Sequence, residues 1–443
     1  MTEHILPERQ LKELQKAILD FMQTKGYTES ADVFARETDN EGFTADPKDR
    51  HHNLLAKKWT SVIRLQRKII ELETKVAKMQ EDIKSGAVVR RGARSDAEWL
   101  PRPPAQTRLV QHQAPVTRVR FHPHYTVVAS ASEDMTVKIW DTESASFERT
   151  LKGHTKAVQD IAFDAKGAVL VTCSADLTLR VWDIADEYKC VRTLHGHDHC
   201  VSAVSFLGAD KLVSASRDKT IKVWELSTGY CIRTLSGHAE WVRSVNVTED
   251  ARLICTASND QSVRTWDPAS GECKADMRGH ENVVEVAKFA PVNAYNCLRR
   301  LSGLPLPTAA EKAAAAAAAN KDSSGSDAQL VDASMPANAQ GLFVISGSRD
   351  KTLRLWDTSS SQLLHTFVGH DDWVRDFVFH PSGKTLISVS DDKTMRLWDL
   401  VTGRCIRTIE ASEHFTTCID LTEIKHLVAT GSVDNSISLW DCR

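Results

Sequence analysis

Histidine, serine and aspartate are the side chains of a hydrolytic relay, and in this 443-residue chain they recur together at fixed spacing. An Asp stands six residues before a Trp seven times: Asp134/Trp140, Asp176/Trp182, Asp218/Trp224, Asp260/Trp266, Asp350/Trp356, Asp392/Trp398 and Asp434/Trp440. A Ser stands two residues before each Asp, at Ser132, Ser174, Ser216, Ser258, Ser348, Ser390 and Ser432. A His lies 28 residues before the Trp at His112, His154, His238, His370 and, once 48 extra residues are removed, His280; His197 and His414 lie 27 and 26 before. One such set would suit nucleophilic catalysis, in which a base takes the proton of an attacking hydroxyl. A nucleophile needs one activated, accessible set, so seven in-phase copies read instead as a structural staple. No G-x-S-x-G elbow, phosphate loop or metal constellation accompanies them. The expectation is a non-enzymatic protein with no cofactor and no metal.

The elements that carry the staple follow from the period. Successive tryptophans are 42 residues apart, except that 356−266 = 90 = 42 + 48. A period near 40 closing on Trp-Asp is the pattern of a four-stranded propeller blade. The expected fold is mainly β: a seven-bladed WD-repeat propeller over residues 105–443. Alternating runs such as Val201–Phe206, Lys211–Ser216, Thr220–Glu225 and Cys231–Leu235 give the strands of one blade. The chain ends three residues after Trp440, so the seventh repeat has no fourth strand of its own, and Thr107–Gln111 is expected to supply it and close the ring. The extra residues, 291–338, form an insert within blade five, expected on the face opposite the His/Asp loops. Thr308 and Glu311 stand at capping-box spacing before Ala313–Ala319, which predicts a short helix.

Residues 7–40 read as a helical module. Leu11, Leu14, Ile18, Phe21 and Met22 form an apolar stripe, Gly26 stops the helix, and a second helix from Thr28 puts Ala31, Phe34 and Val33 inward. So short a segment cannot bury enough apolar surface alone, which points to dimerisation or to docking on the propeller. Over 54–84, Leu55, Val62, Ile69, Val76 and Ile83 recur every seven residues, with Leu65, Leu72 and Met79 interleaved three later. This predicts a two-stranded parallel coiled coil, the alternative being a single helix lying on the propeller. Residues 85–104 lose the period and carry Gly86, Gly92, Pro101, Pro103 and Pro104, as a mildly basic flexible linker would.

Composition excludes several classes. Lys plus Arg number 56 against 59 Asp plus Glu, a net charge of −3, so bulk charge makes no case for nucleic acid. The 10 cysteines include no C-x-x-C pair and read as buried thiols in a reducing compartment. No signal peptide and no run of 18 apolar residues is visible, so a cytoplasmic protein without membrane insertion is expected.

In such a propeller the loops that carry His and Asp open on one face. Arg217 and Arg349 directly precede staple aspartates, and Lys219, Lys351 and Lys393 directly follow them. Trp241, Arg243, Trp373 and Arg375 lie three and five residues after their histidines. The result is a basic and aromatic ring over blades three to six, built of the residue types that dominate protein-binding sites and suited to an acidic partner.

The stretch LQKAILDFMQTKGYTESADVFARE resembles the LisH motif at Leu19, Gly26, Tyr27, Ala31, Phe34 and Glu37, a homodimerisation module. With the coil and the repeats VSASRDKTIKVWE and SGSRDKTLRLWD, the whole chain apart from the insert resembles the lissencephaly protein family, most of all its fungal nuclear distribution (NudF/Pac) type. The resemblance implies a buried network in which Asp accepts from His, His meets Ser, and Ser meets the Trp indole, as in His154/Ser174/Asp176/Trp182 and Ser216/Asp218/Trp224. It implies a homodimer held by Leu14, Ile18, Phe21, Phe34, Val62, Leu65, Ile69, Leu72 and Val76. It further implies a regulator of cytoplasmic dynein that binds the dynein heavy chain through Arg217, Arg243, Arg349, Trp373 and Lys393. NudE-type coiled-coil adaptors, microtubule plus ends and spindle poles, nuclear migration and spindle positioning come with the same resemblance. The competing reading is a WD-repeat scaffold, or the non-catalytic subunit of an acetylhydrolase-type complex. Gln111 and Glu413 replace Gly before His, and Glu225 replaces Asp after Trp224.

Overall fold

The structure, a computed structural model, describes residues 8–38, 40, 99–304 and 341–442. The predicted coil over 54–84 and the alanine run of the insert lie outside these residues. The chain divides into two units, residues 1–94 and 95–443.

The second unit holds seven four-stranded antiparallel sheets arranged as blades. In each blade the second strand is a short apolar and small-residue run, such as Val127–Ser132, Phe343–Ser348 and Thr385–Ser390, and every residue of these three is buried. A strand covered by a neighbouring blade on each face has no polar side, which is why alternation vanishes there. The outermost strands, such as Cys231–Ser236 and Cys405–Glu410, keep one buried position each, Leu235 and Ile409. The cores lie between blades: Trp182 packs with Val127, Ala129 and Ile139 of blade one, and Trp266 with Val213, Ile221 and Val223 of blade three.

The ring closes as the sequence predicts. Thr107–Val110 pairs antiparallel with Ser436–Asp441, in the register Thr107↔Leu439 and Leu109↔Ile437. Leu109 is buried against Ile437 and Leu439. The docked segment begins earlier than expected. Within the stretch read as linker, Trp99 and Leu100 pack on blades six and seven beside Ala105, Ile409 and Cys442, and Pro101 bridges to Cys442. The Trp99 ring lies 4.4 Å from His380 and 4.5 Å from His426, and its carbonyl meets His380 Nε2 at 3.1 Å. An indole and a leucine gain more by burial than a solvated linker would allow.

A buried ionic chain crosses the ring near its axis. Arg118 of blade one reaches Asp160 of blade two (2.8 Å) and Asp376 of blade six (2.5 Å), and Lys288 of blade five reaches Asp376 at 2.7 Å. Burial opposes ionisation of Asp376, but the charges of Lys288 and Arg118 outweigh it and hold the carboxyl at about 2. Such a chain fixes which blades face each other, because breaking it leaves a buried charge unpaired.

The insert leaves blade five after Val284–Phe289 and returns at Phe343–Ser348. Its first residues form a 3-10 turn, Val292–Ala294, and a helix, Tyr295–Leu301, that covers Phe343 with the buried Tyr295 and Leu298. Tyr295 Oη accepts from Gly341 N at 2.9 Å, tying the two ends of the insert together.

The first unit contains α1 (Glu8–Lys25) and α2 (Thr28–Glu37). Ala17, Leu19 and Ala31 are buried, whereas Leu14 is 38% and Val33 50% exposed. Val33 therefore does not line the inner face expected of it; at this register Ala31 occupies that place, and Ile18, Phe21 and Phe34 are half-buried.

Deleting residues 105–111 removes the outer strand of blade seven and exposes the edge Ser436–Asp441. The truncated propeller is expected to aggregate or to melt well below the intact one in a thermal scan. An unchanged melt would overturn the closure.

Candidate partner-binding face

The staple sets the geometry of the face, and its hydroxyl differs from the expected one. In blade three His197 Nδ1 meets Asp218 Oδ2 at 2.7 Å, His197 Nε2 meets Ser214 Oγ at 2.8 Å, and Trp224 Nε1 donates to Ser214 Oγ at 2.7 Å. Blade two repeats this with His154, Asp176, Trp182 and the hydroxyl of Thr172. The relay hydroxyl is thus the residue ten before Trp: Ser130, Thr172, Ser214, Thr256, Ser346, Ser388 and Thr430. Ser174 and Ser216, assigned to the relay by resemblance, do not join it. They sit at the strand end, where Ser216 Oγ donates to Cys200 O at 2.9 Å and accepts from Asp218 N at 3.1 Å. Position along the strand explains the difference: two residues apart, Ser214 and Ser216 share one face, but Ser214 lies within reach of the indole whereas Ser216 ends the strand and meets the His loop.

In blades one to six the hydroxyl is buried between an imidazole and an indole, so it bridges two groups and is not presented to solvent. Nδ1 faces a carboxylate and donates; Nε2 then accepts from the hydroxyl, which accepts from the indole. Burial lowers the pKa of His154 and His280 and favours this neutral form. Asp176 is desolvated, yet hydrogen bonds from Thr178 and His154 bring it down to about 2.

Blade seven departs from the rule. His414 makes no contact with Asp434; the position 28 before Trp440 is Ser412, whose hydroxyl donates to Asp434 at 3.2 Å. Arg108 of the closing strand supplies the cation to the same carboxylate. The ring is therefore locked where it closes by an ion pair rather than by an imidazole.

The staple aspartate also builds the face. Asp218 Oδ2 takes His197 and Asp198 N, while Oδ1 caps its own turn through Thr220 N (2.9 Å) and Thr220 Oγ1 (2.6 Å). Lys219, Lys351 and Lys393 occupy the left-handed turn position that follows (φ 69°, 70° and 68°) and project as exposed rim charges. Lys219 pairs with Glu240 at 3.4 Å.

Inside the rim, blades three to six bring the predicted residues together. Arg217 and Arg243 lie over the Trp241 ring, 4.8 and 5.8 Å from its centroid. Arg349 and Arg375 lie over Trp373 at 4.1 and 5.0 Å. Both indoles are half-buried, so each serves as a plate for two guanidiniums. Between the two plates stands Glu285, which the sequence reading missed. It lies 2.5 Å from Arg349, 3.7 Å from Arg375 and 3.9 Å from Arg243. Asp391 binds Arg375 through both oxygens (2.8 and 2.7 Å), and Asn259 accepts from Arg243 at 2.6 Å. A register signal existed. Glu285 stands where Arg243 and Arg375 stand, 23 before Trp once 48 is removed, and Asn259 and Asp391 stand where Arg217 and Arg349 stand, seven before. Such a face can hold an acidic surface through stacked, oriented cations.

Comparison with known proteins agrees with this architecture. The WD domain, G-beta repeat matches at residues 104–141, 145–183, 188–225, 229–267, 333–357, 361–399 and 403–441, and the PAC1 LisH domain at 8–43. The nuclear distribution protein PAC1 of Coprinopsis cinerea is 47% identical over 381 residues, covering 86% of this chain and 81% of that protein. That of Coccidioides posadasii is 42% identical over 396 residues, with 86% and 78% covered, and that of Gibberella zeae 41%, with 86% and 80% covered. The chain belongs to the PAC1 nuclear distribution family. Its propeller is the seven-repeat kind and its first unit contains a LisH domain, as the sequence predicts.

Ser214→Ala leaves His197 Nε2 and Trp224 Nε1 buried without a partner. It is expected to lower stability by about 1–3 kcal/mol in urea denaturation. A variant as stable as the parent would contradict the relay.

Proposed function

We propose that this protein is a non-enzymatic, homodimeric regulator of cytoplasmic dynein that binds the motor domain of the dynein heavy chain through the face just described. The observation that carries the reading is the convergence of Arg217, Arg243, Arg349 and Trp373 on one face, with Lys393 on its rim, in a chain of the nuclear distribution family. Half-buried arginines stacked on indoles suit an anchored contact, and the exposed lysines suit steering of an acidic surface. The LisH domain supports dimerisation, with Leu14, Ile18, Phe21 and Phe34 outside the buried core of the single chain and the heptad residues Val62, Leu65, Ile69, Leu72 and Val76 continuing the contact. Two propellers on one dimer gain from effective concentration on a two-headed motor. The relatives' name, nuclear distribution protein, fits a role in nuclear migration and spindle positioning, with action at microtubule plus ends and spindle poles and with NudE-type adaptors as further partners.

Changing Arg217, Arg243, Arg349, Trp373 and Lys393 together to Ala is expected to abolish binding to a purified dynein motor domain while the β-rich circular dichroism spectrum and the melt are kept. Binding by the parent should weaken as salt rises. Undiminished affinity in the folded variant would remove the face from the interface.

A further inference from the structure

The proposed reading treats the face as a receiver of acidic side chains, and the charge balance inside it specifies the acid further. Arg375 is fully engaged, since Asp391 binds it through both oxygens. The other three guanidiniums, Arg217, Arg243 and Arg349, have one carboxylate among them, Glu285, which touches Arg243 and Arg349. Among the described residues Arg217 contacts no carboxylate; its guanidinium rests on Trp241. Arg243 turns its Nε to the neutral amide of Asn259. Three cations against one anion leave an excess of two positive charges (3 − 1 = 2) in a half-buried patch. Burial, and after it the neighbouring charges of Arg349, Arg217 and Arg375, depress the Arg243 pKa against the pull of Glu285.

A carboxylate side chain brings one negative charge. A phosphate monoester brings between one and a half and two at neutral pH, with three acceptor oxygens. The donors are arginines, whose planar forks match phosphate oxygens in pairs, and the indoles hold those forks by their faces, so that only part of their N–H edges is taken, the Nε of Arg243 by Asn259 and that of Arg349 by Glu285. Glu285 already sits as an anion against Arg243, Arg349 and Arg375, so the patch accommodates a carboxylate oxyanion.

We propose that the Arg217/Arg243/Arg349 patch binds a phosphorylated serine or threonine within an acidic partner segment, so that partner phosphorylation sets the affinity of the face. This rests on the reading of the face as a docking site for an acidic protein. The test is fluorescence anisotropy of the full chain with three labelled 12-residue peptides rich in Asp and Glu, identical except for a central Ser, Glu or phosphoserine. The phosphoserine peptide is expected to bind on the order of tenfold more tightly than the Glu peptide. Arg217→Gln with Arg243→Gln should erase that difference, whereas Lys351→Gln should weaken all three peptides alike. Equal affinity for the three peptides overturns the phosphate assignment and leaves the acidic docking face standing. Binding to phosphoinositide vesicles without preference among the peptides overturns it in favour of a lipid headgroup. Failure of the docking reading itself has a separate readout, because it would appear as dynein motor binding indifferent to the five-alanine change.

Discussion

Each standard blade depends on one aspartate whose two oxygens serve different elements. One oxygen receives the imidazole of the incoming loop; the other caps the turn that carries the aspartate. Through the imidazole the same residue is joined to a hydroxyl and an indole deep in the blade. The interior of the sheet and the loop geometry of the face are therefore one hydrogen-bonded unit. A polar chain of this depth is stable because every member is satisfied, and for the same reason it admits little movement. Side chains on either side of the aspartate inherit that rigidity: Arg217 and Lys219 in blade three, Arg349 and Lys351 in blade five.

The ring as a whole is held by contacts that join blades. The closing strand at Thr107–Val110 ties the start of the propeller to its end, and Arg108 takes the place of the absent histidine in blade seven. Arg118, Asp160, Asp376 and Lys288 link blades one, two, five and six through the centre. The cations of the binding face come from blades three to six, so their common geometry requires those blades to be fixed in angle and height. A pair of guanidiniums from neighbouring blades can share one indole only in a closed, rigid ring.

Much of this was legible in the sequence, because the period and the Asp-Trp interval are set by strand length and blade size. The closing strand was legible from counting strands, and the face from positions adjacent to the staple aspartates. The relay hydroxyl was not. Serine stands in all seven repeats two residues before Asp, whereas the true position is Ser in four repeats and Thr in three, either of which supplies the hydroxyl. His414 was misread because a histidine two residues out of register is chemically identical to one in register. Glu285 escaped because its repeat equivalents are arginines, and only the fold shows that a carboxylate there becomes their shared counter-ion. The Trp99–Leu100 anchor was hidden among glycines, prolines and charges that read as solvated chain.

The link between staple and face is tested most directly by hydrogen–deuterium exchange on His197→Ala. The expected result is faster amide exchange confined to the loop 196–201 and the turn 216–220, with the other blades unchanged. Unaltered exchange in the turn, or exchange raised equally over all seven blades, would contradict the view that each aspartate holds its own loop and turn in place.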